Sequence, residues 1–213
     1  MALQLLPSIL ADLDAITDDS ERLLRLVEGA FAGNLFDLGA ANTADLFGAG
    51  GTDFLATRST VQPRPWSIDD FDAFQASIAV AAPTKSVLFV DNSGSDFVLG
   101  MLPLARELLR RGGAVIIAAN LVPSINDITA EEAAIVVNTA AEGDSVLRAS
   151  LADGRLRVIS SGSARPVIDL RAVSQELAAA MEGVDLVVLE GMGRSIETNL
   201  EVVLKVRLCS LLC

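Results

Sequence analysis

Ser86-Val87-Leu88-Phe89-Val90-Asp91-Asn92-Ser93-Gly94-Ser95-Asp96 is the stretch on which the fold turns. Ser86–Val90 is a short, nearly unbroken apolar run, the pattern of a strand buried on both faces. It exits into a polar run that leads into a helix over Asp96–Arg111. The same alternation continues downstream, with strands at Ala114–Ala119, Leu156–Ile159 and Val184–Leu189 and helices at Ala130–Ala140 and Leu170–Met181. Strands separated by helices predict an α/β fold with a parallel sheet covered on both faces. In such sheets ligands bind beyond the carboxyl ends of the strands, so the residues just after each strand are where chemistry is expected.

Upstream of this pattern, residues 1–80 read as an N-terminal helical region, distinct from an α/β core over 81–213. Asp18-Asp19-Ser20 caps a stretch with Leu23, Leu24, Leu26 and Val27 at helical spacing, predicted to stop near Gly29–Gly33. Asp69-Asp70 opens a second helix with Phe71, Phe74 and Ile78. Gly48-Ala49-Gly50-Gly51 and Pro63-Arg64-Pro65 mark turns between them.

Composition removes several classes of function. The 213 residues are 51% hydrophobic and 21% charged, which suits a packed domain and not a disordered chain. Mean hydropathy is +0.47, yet Asn120 and Glu190 interrupt the densest apolar runs well short of the ~18–20 residues of a membrane span. No basic segment precedes the apolar start, so a cytoplasmic location is expected. A net charge of −12, with Lys85 and Lys205 the only lysines, disfavours nucleic acid and anionic lipid as partners. The absence of histidine excludes Ser-His-Asp triads and His-containing zinc sites. The only cysteines, Cys209 and Cys213, lie too near the end for a thiol nucleophile with a following anion loop.

The strand ends are polar. The first gives Asp91-Asn92, the second Asn120 and then Asn126-Asp127, the third Ser160-Ser161-Gly162-Ser163, and the last Glu190-Gly191-Met192-Gly193-Arg194. Carboxylate and amide oxygens suit a hard divalent cation, and Ser-Gly turns suit phosphate. Such residues are also ordinary caps and turns. Asp91 is harder to explain that way, because Gly94 or Ser95 stands at the cap position and an unpaired carboxylate ending a buried strand is costly. Competing motifs fail. No Gly-x-x-x-x-Gly-Lys loop exists, the Gly191-Met192-Gly193 segment has two of the three glycines of a dinucleotide fingerprint, and Ser93 stands where a haloacid-dehalogenase-type phosphatase has its second Asp.

Phe89-Val90-Asp91-Asn92-Ser93-Gly94 resembles the metal-binding strand end of the metal-dependent damage-control phosphatases, the DUF89 family. So do Leu102-Pro103 with Arg106–Gly112, then Asn126-Asp127-Ile128-Thr129. Glu190-Gly191-Met192-Gly193-Arg194 is similar to the motif of one subfamily, which includes plant proteins and the phosphatase domain of pantothenate kinase fusions. Phe31–Gly39 and Arg64-Pro65-Trp66 resemble that subfamily as well. The similarity runs from about Ser20 to Leu200. It implies a three-layer α/β/α Rossmann-like sheet with a helical region before it. It also implies a divalent-metal-dependent phosphatase (Mn, Co, Ni or Mg) of small phosphorylated metabolites, with 4′-phosphopantetheine and its oxidised forms as substrates. By position it places metal ligands on Asp91, Asn92 and Asp127, and substrate phosphate on Arg194. Asn34 and Asp37 would face the site from the helical region, with Ser161, Gly162, Ser163, Glu190, Gly191 and Gly193 around the substrate.

In the mechanism this implies, the metal acts as a Lewis acid and activates water, while Arg194 and the N–H groups of Ser161–Ser163 neutralise the phosphoryl oxygens. After Asn199-Leu200 the sequence departs from the family pattern, which continues with a further lysine-bearing strand. The core is therefore expected to be incomplete at its C-terminus. The apolar tail Val202–Leu212 is expected either to replace the missing strand or to associate with a second copy through that edge. The rival readings are a catalytically inactive family member that binds metal or a partner, and a nucleotide-binding module built on Gly191–Arg194.

Overall fold

The computed structural model describes residues 1–43 and 54–211, and the side chains of 36–43, 55, 56 and 60 lie outside the description. Its elements run α1 (Ala2–Ala15), α2 (Asp19–Thr43), α3 (Phe54–Thr60), α4 (Phe71–Val80), β1 (Lys85–Phe89), α5 (Leu102–Arg110) and β2 (Ala114–Ala119). They continue with α6 (Ala130–Gly143), α7 (Ser145–Ala152), β3 (Leu156–Ser160), α8 (Gln175–Ala180), β4 (Leu186–Glu190) and β5 (Arg207–Leu211). Two π-helical segments, Asp96–Met101 and Gly193–Glu197, follow β1 and β4.

The five strands form one parallel sheet in the order β3-β2-β1-β4-β5. Side chains alternate between its faces. Leu88, Val90, Val115, Ile117 and Val188 share a core with Leu23 and Leu26 of α2 and Leu104 and Leu108 of α5. Val87, Phe89, Ile116, Ala118 and Leu189 pack with Ile168 and with Leu177 of α8 on the other side. The four predicted strands are present within one or two residues of the expected bounds, and both faces of the sheet are covered. Among the described residues no helix is long and apolar enough to cross a membrane.

Several expectations need correction. Asp18 does cap α2, accepting the Glu21 N–H at 2.8 Å, but the helix does not stop at Gly29–Gly33. Glycine costs a helix about 1 kcal/mol, and close packing offsets that cost. A Cβ on Gly33 would meet Asp96 Cα at 2.8 Å, so α2 approaches the Asp96 segment this closely only through glycine. The helix expected over Asp96–Arg111 begins as a π-helix and becomes α-helical at Leu102. Asp144 accepts the Leu147 N–H at 2.9 Å and starts α7, which was not anticipated. The helix expected over Leu170–Met181 shrinks to α8, because Asp169 binds the Arg171 N–H in a turn and Ser174 caps only at that point.

Part of the apolar tail joins the sheet. Arg207–Leu211 pairs in parallel with Leu186–Glu190 as the edge strand β5. Arg207 anchors its start by donating to Ala81 O at 2.7 Å, at the end of α4.

Candidate active site

Parallel strands bring all their carboxyl ends to one edge. The pairing of Phe89 with Ala118 and with Leu189 sets Asp91 level with Asn120 on one side and Gly191 on the other. After β2 the chain turns back, and Asp127 forms an antiparallel bridge with Asn92. Ile128 N–H donates to Asp91 O at 2.9 Å, and Ser93 N–H to Asn126 O at 2.8 Å. This return passes through Ile125 at φ 54°, a conformation rarely adopted by β-branched residues, two positions before Asp127.

Arg194, 2% exposed, is the centre of the cluster. One end of its guanidinium donates to Asp91 Oδ1. The other donates to Asp127 Oδ2 at 2.8 Å and Asn120 Oδ1 at 3.2 Å. Asn120 Nδ2 also donates to Asp127 Oδ2 at 2.8 Å. Asn34 donates to Asp91 Oδ2 at 3.4 Å and to Asp96 Oδ2 at 3.0 Å, and Asn92 Nδ2 donates to Asp96 Oδ2 at 2.8 Å. Glu190 Oε2 accepts the Asp91 N–H at 2.9 Å. Gly191 adopts φ 86°, and a Cβ there would lie 2.0 Å from Asp91 Oδ2. A Cβ on Gly193 would meet Pro166 O at 2.5 Å.

Burial raises three of the carboxyls here, those of Asp91, Asp96 and Glu190. It pushes Asp91 up to about 6, against the lowering by Arg194 and with further raising by Asp127 and Asp96. Glu190 is held well above its ordinary range, first by complete burial and then by the charge of Asp96. Asp96 is raised as well, first by its burial and against the lowering by the hydrogen bonds it accepts from Asn92 and Asn34.

The structure thus brings together Asn34, Asp91, Asn92, Asp127, Glu190, Gly191 and Arg194. It does not bring the Ser161–Ser163 turn in as a phosphate cradle. Ser161 N–H donates to Ala119 O at 2.7 Å. The Gly162 and Ser163 N–H groups are held by Ser160 Oγ and Ser161 Oγ. The donors expected of this turn are already engaged. The side chain of Asp37 lies outside the described residues. Asn120 and Asp96 stand in the polar runs after β2 and β1 yet were not singled out, since Asp96 reads as an ordinary first-turn acid.

The oxygens of Asp91, Asp127 and Asn92 fit a hard divalent ion in chemistry. Arg194 touches one oxygen of each carboxylate and leaves the other outside its fork. Among the described residues no group of three His, Cys, Asp or Glu side chains is gathered for an ion.

Comparison with known proteins identifies the family. The chain is 50% identical over 199 residues to damage-control phosphatase At2g17340 of Arabidopsis thaliana, covering 93% of this chain and 54% of that protein. It is 30% identical over 255 residues to mouse 4′-phosphopantetheine phosphatase, covering 96% of this chain and 31% of that protein. It therefore spans about half the length of the first relative and about a third of the second. A DUF89 family protein from Pyrococcus horikoshii shares the fold with a TM-score of 0.64 at 22% identity, covering 99% of this chain and 64% of that one. Residues 1–213 match the damage-control phosphatase ARMT1-like domain, and the chain belongs to that family.

Proposed function

We propose that the strand-end cluster is the active site of a divalent-metal-dependent phosphatase of small phosphorylated metabolites, with 4′-phosphopantetheine and its oxidised forms as the favoured substrates. The observation that carries this reading is the joining of a half-buried carboxylate, Asp91, and a buried one, Asp127, to one buried guanidinium, Arg194, at the carboxyl edge of a parallel sheet. The name of the mouse relative supports the substrate. Asp91, Asn92 and Asp127 would hold the metal, which when bound supplies Lewis acidity at phosphorus and a more acidic water. Arg194 offers a planar donor fork matched to phosphoryl oxygens. Those donors are held by Asp91, Asp127 and Asn120, so binding substrate requires Arg194 to exchange partners. A cavity of about 290 Å³, lined by Phe31, Trp66, Phe74, Leu200 and Leu211 with Asp70 and Ser210 among them, offers room for the organic arm of a substrate. Its Leu211 accepts the Gly191 N–H at 3.2 Å, which ties it to the site.

The full engagement of Arg194 favours a second reading, in which the chain binds metal or a partner but turns nothing over. EDTA-stripped protein assayed for phosphate release from 4′-phosphopantetheine with Mn²⁺, Co²⁺, Ni²⁺ or Mg²⁺, beside a melting scan, separates the two. The expected result is metal-dependent release and a raised melting temperature, both abolished by Asp127→Ala and only reduced by Asn126→Ala. A metal-dependent melting shift without release selects the second reading. Neither effect in the wild type sinks the ligand assignment.

A further inference from the structure

We infer that Asp96 is a positioning residue whose carboxylate fixes which end of the Asn92 amide faces the site. The inference rests on the metal reading above. An asparagine side chain offers an oxygen at one end and an NH₂ at the other, and the two orientations are nearly equal in shape. A hard cation binds only the oxygen. Asp96 is fully buried, and its Oδ2 accepts Asn92 Nδ2 at 2.8 Å and Asn34 Nδ2 at 3.0 Å. A carboxylate oxygen cannot face an amide oxygen without repulsion, so the NH₂ of Asn92 turns to Asp96 and its carbonyl oxygen turns away. Asp96 thereby selects the ligand-competent orientation before any ion arrives.

The arrangement is built into two elements. Asp96 opens the π-helical segment after β1, a winding that recurs at functional sites. Gly33 of α2 leaves the space, since a Cβ there would lie 2.9 Å from Asp96 Oδ1. The next residue, Asn34, supplies the second donor and also reaches Asp91 Oδ2 at 3.4 Å.

Calorimetric titration of Mn²⁺ into EDTA-stripped wild type, Asp96→Ala and Asp96→Asn tests this, with melting curves recorded on each. Asp96→Ala removes the acceptor and is expected to weaken Mn²⁺ binding at least about tenfold. Asp96→Asn presents one amide oxygen to both donors and is expected to stay within about threefold of the wild type. A purely structural role for Asp96 would lower both melting temperatures without this split. If Asp96→Ala lacks a cooperative melt, Asp96→Leu, which fills the volume without an acceptor, carries the same expectation. Unchanged affinity in the acceptor-less variant overturns the inference alone, as does an Asp96→Asn loss as large as that of alanine. No Mn²⁺ binding by the wild type overturns both this inference and the metal reading.

Discussion

Replacing Gly191 by alanine tests the packing at the centre of the site. At φ 86° an L-residue costs about 1–2 kcal/mol more than glycine. The added Cβ would lie 2.0 Å from Asp91 Oδ2, so the carboxylate or the loop must shift by about 1 Å or more to reach ordinary contact. Asp91 has little freedom to move, because Arg194 holds its Oδ1 and Glu190 holds its N–H. The shift therefore costs a charge-assisted bond in a buried cluster, about 1.5–3 kcal/mol. The sum, about 2.5–5 kcal/mol, is a large part of the ~5–15 kcal/mol that stabilises a typical domain. Gly154 supplies the control, with φ 78° and no atom within 4 Å of a built Cβ. Gly154→Ala carries only the backbone cost, about 1–2 kcal/mol. Urea unfolding of both variants reads the difference, and phosphate release in Gly191→Ala is expected to fall about a hundredfold. Equal destabilisation of the two, with release retained in Gly191→Ala, would refute the placement of Asp91 against this glycine.

Two further predictions concern the helical face. Asp144 accepts Arg106 Nε at 2.7 Å and caps α7 through Leu147 N–H at 2.9 Å. Asp144→Ala is expected to lose about 3–5 kcal/mol in urea unfolding, and Asp144→Asn to recover the ~1 kcal/mol of the cap, so equal losses would show the cap contributes nothing. The Asp14 carboxyl is held below its ordinary value, chiefly by its hydrogen bond from Arg106. Its contribution is therefore present above the unfolded value near pH 4 and lost as pH falls through the lower folded value. The wild-type melting temperature should drop more steeply below pH 4 than that of Asp14→Asn, and parallel curves would remove Asp14 from the acid response.

The sheet was legible in the sequence because its strands are buried on both faces. Ser86–Val90, Ala114–Ala119 and Val184–Leu189 have no alternation for a competing reading to use, and strand order then follows from pairing that no single segment encodes. Helix ends were less legible where tertiary contact overrode local preference. Gly29 and Gly33 carry a stop signal locally, but α2 continues because the Asp96 segment needs a glycine face to approach. Asp169 and Arg171 look like members of a charged helical face, but their pairing folds a turn in place of a helix.

The site divides along the same line. Asp91, with Asn92 beside it, is legible because it ends a buried strand ahead of the cap position, where a carboxylate has no cheap structural use, whereas Asp127 reads locally as a turn residue and is reached through the family resemblance. Asp96 is not legible in this way, because its work lies in a bond to Asn34, 62 residues away in sequence. Arg194 shows the limit most clearly. A buried arginine after a strand suggests an anion, and sequence alone offers substrate phosphate as that anion. The structure supplies Asp91 and Asp127 first, two carboxylates that would repel each other across the site without a cation between them. The same guanidinium that suits a phosphoryl group therefore keeps the carboxylate pair together in its absence. A metal ion would use the carboxylate oxygens outside the Arg194 fork, whereas a phosphoryl group would take the guanidinium donors themselves, so a phosphoryl group that binds with the ion already in place leaves neither side without a counter-charge.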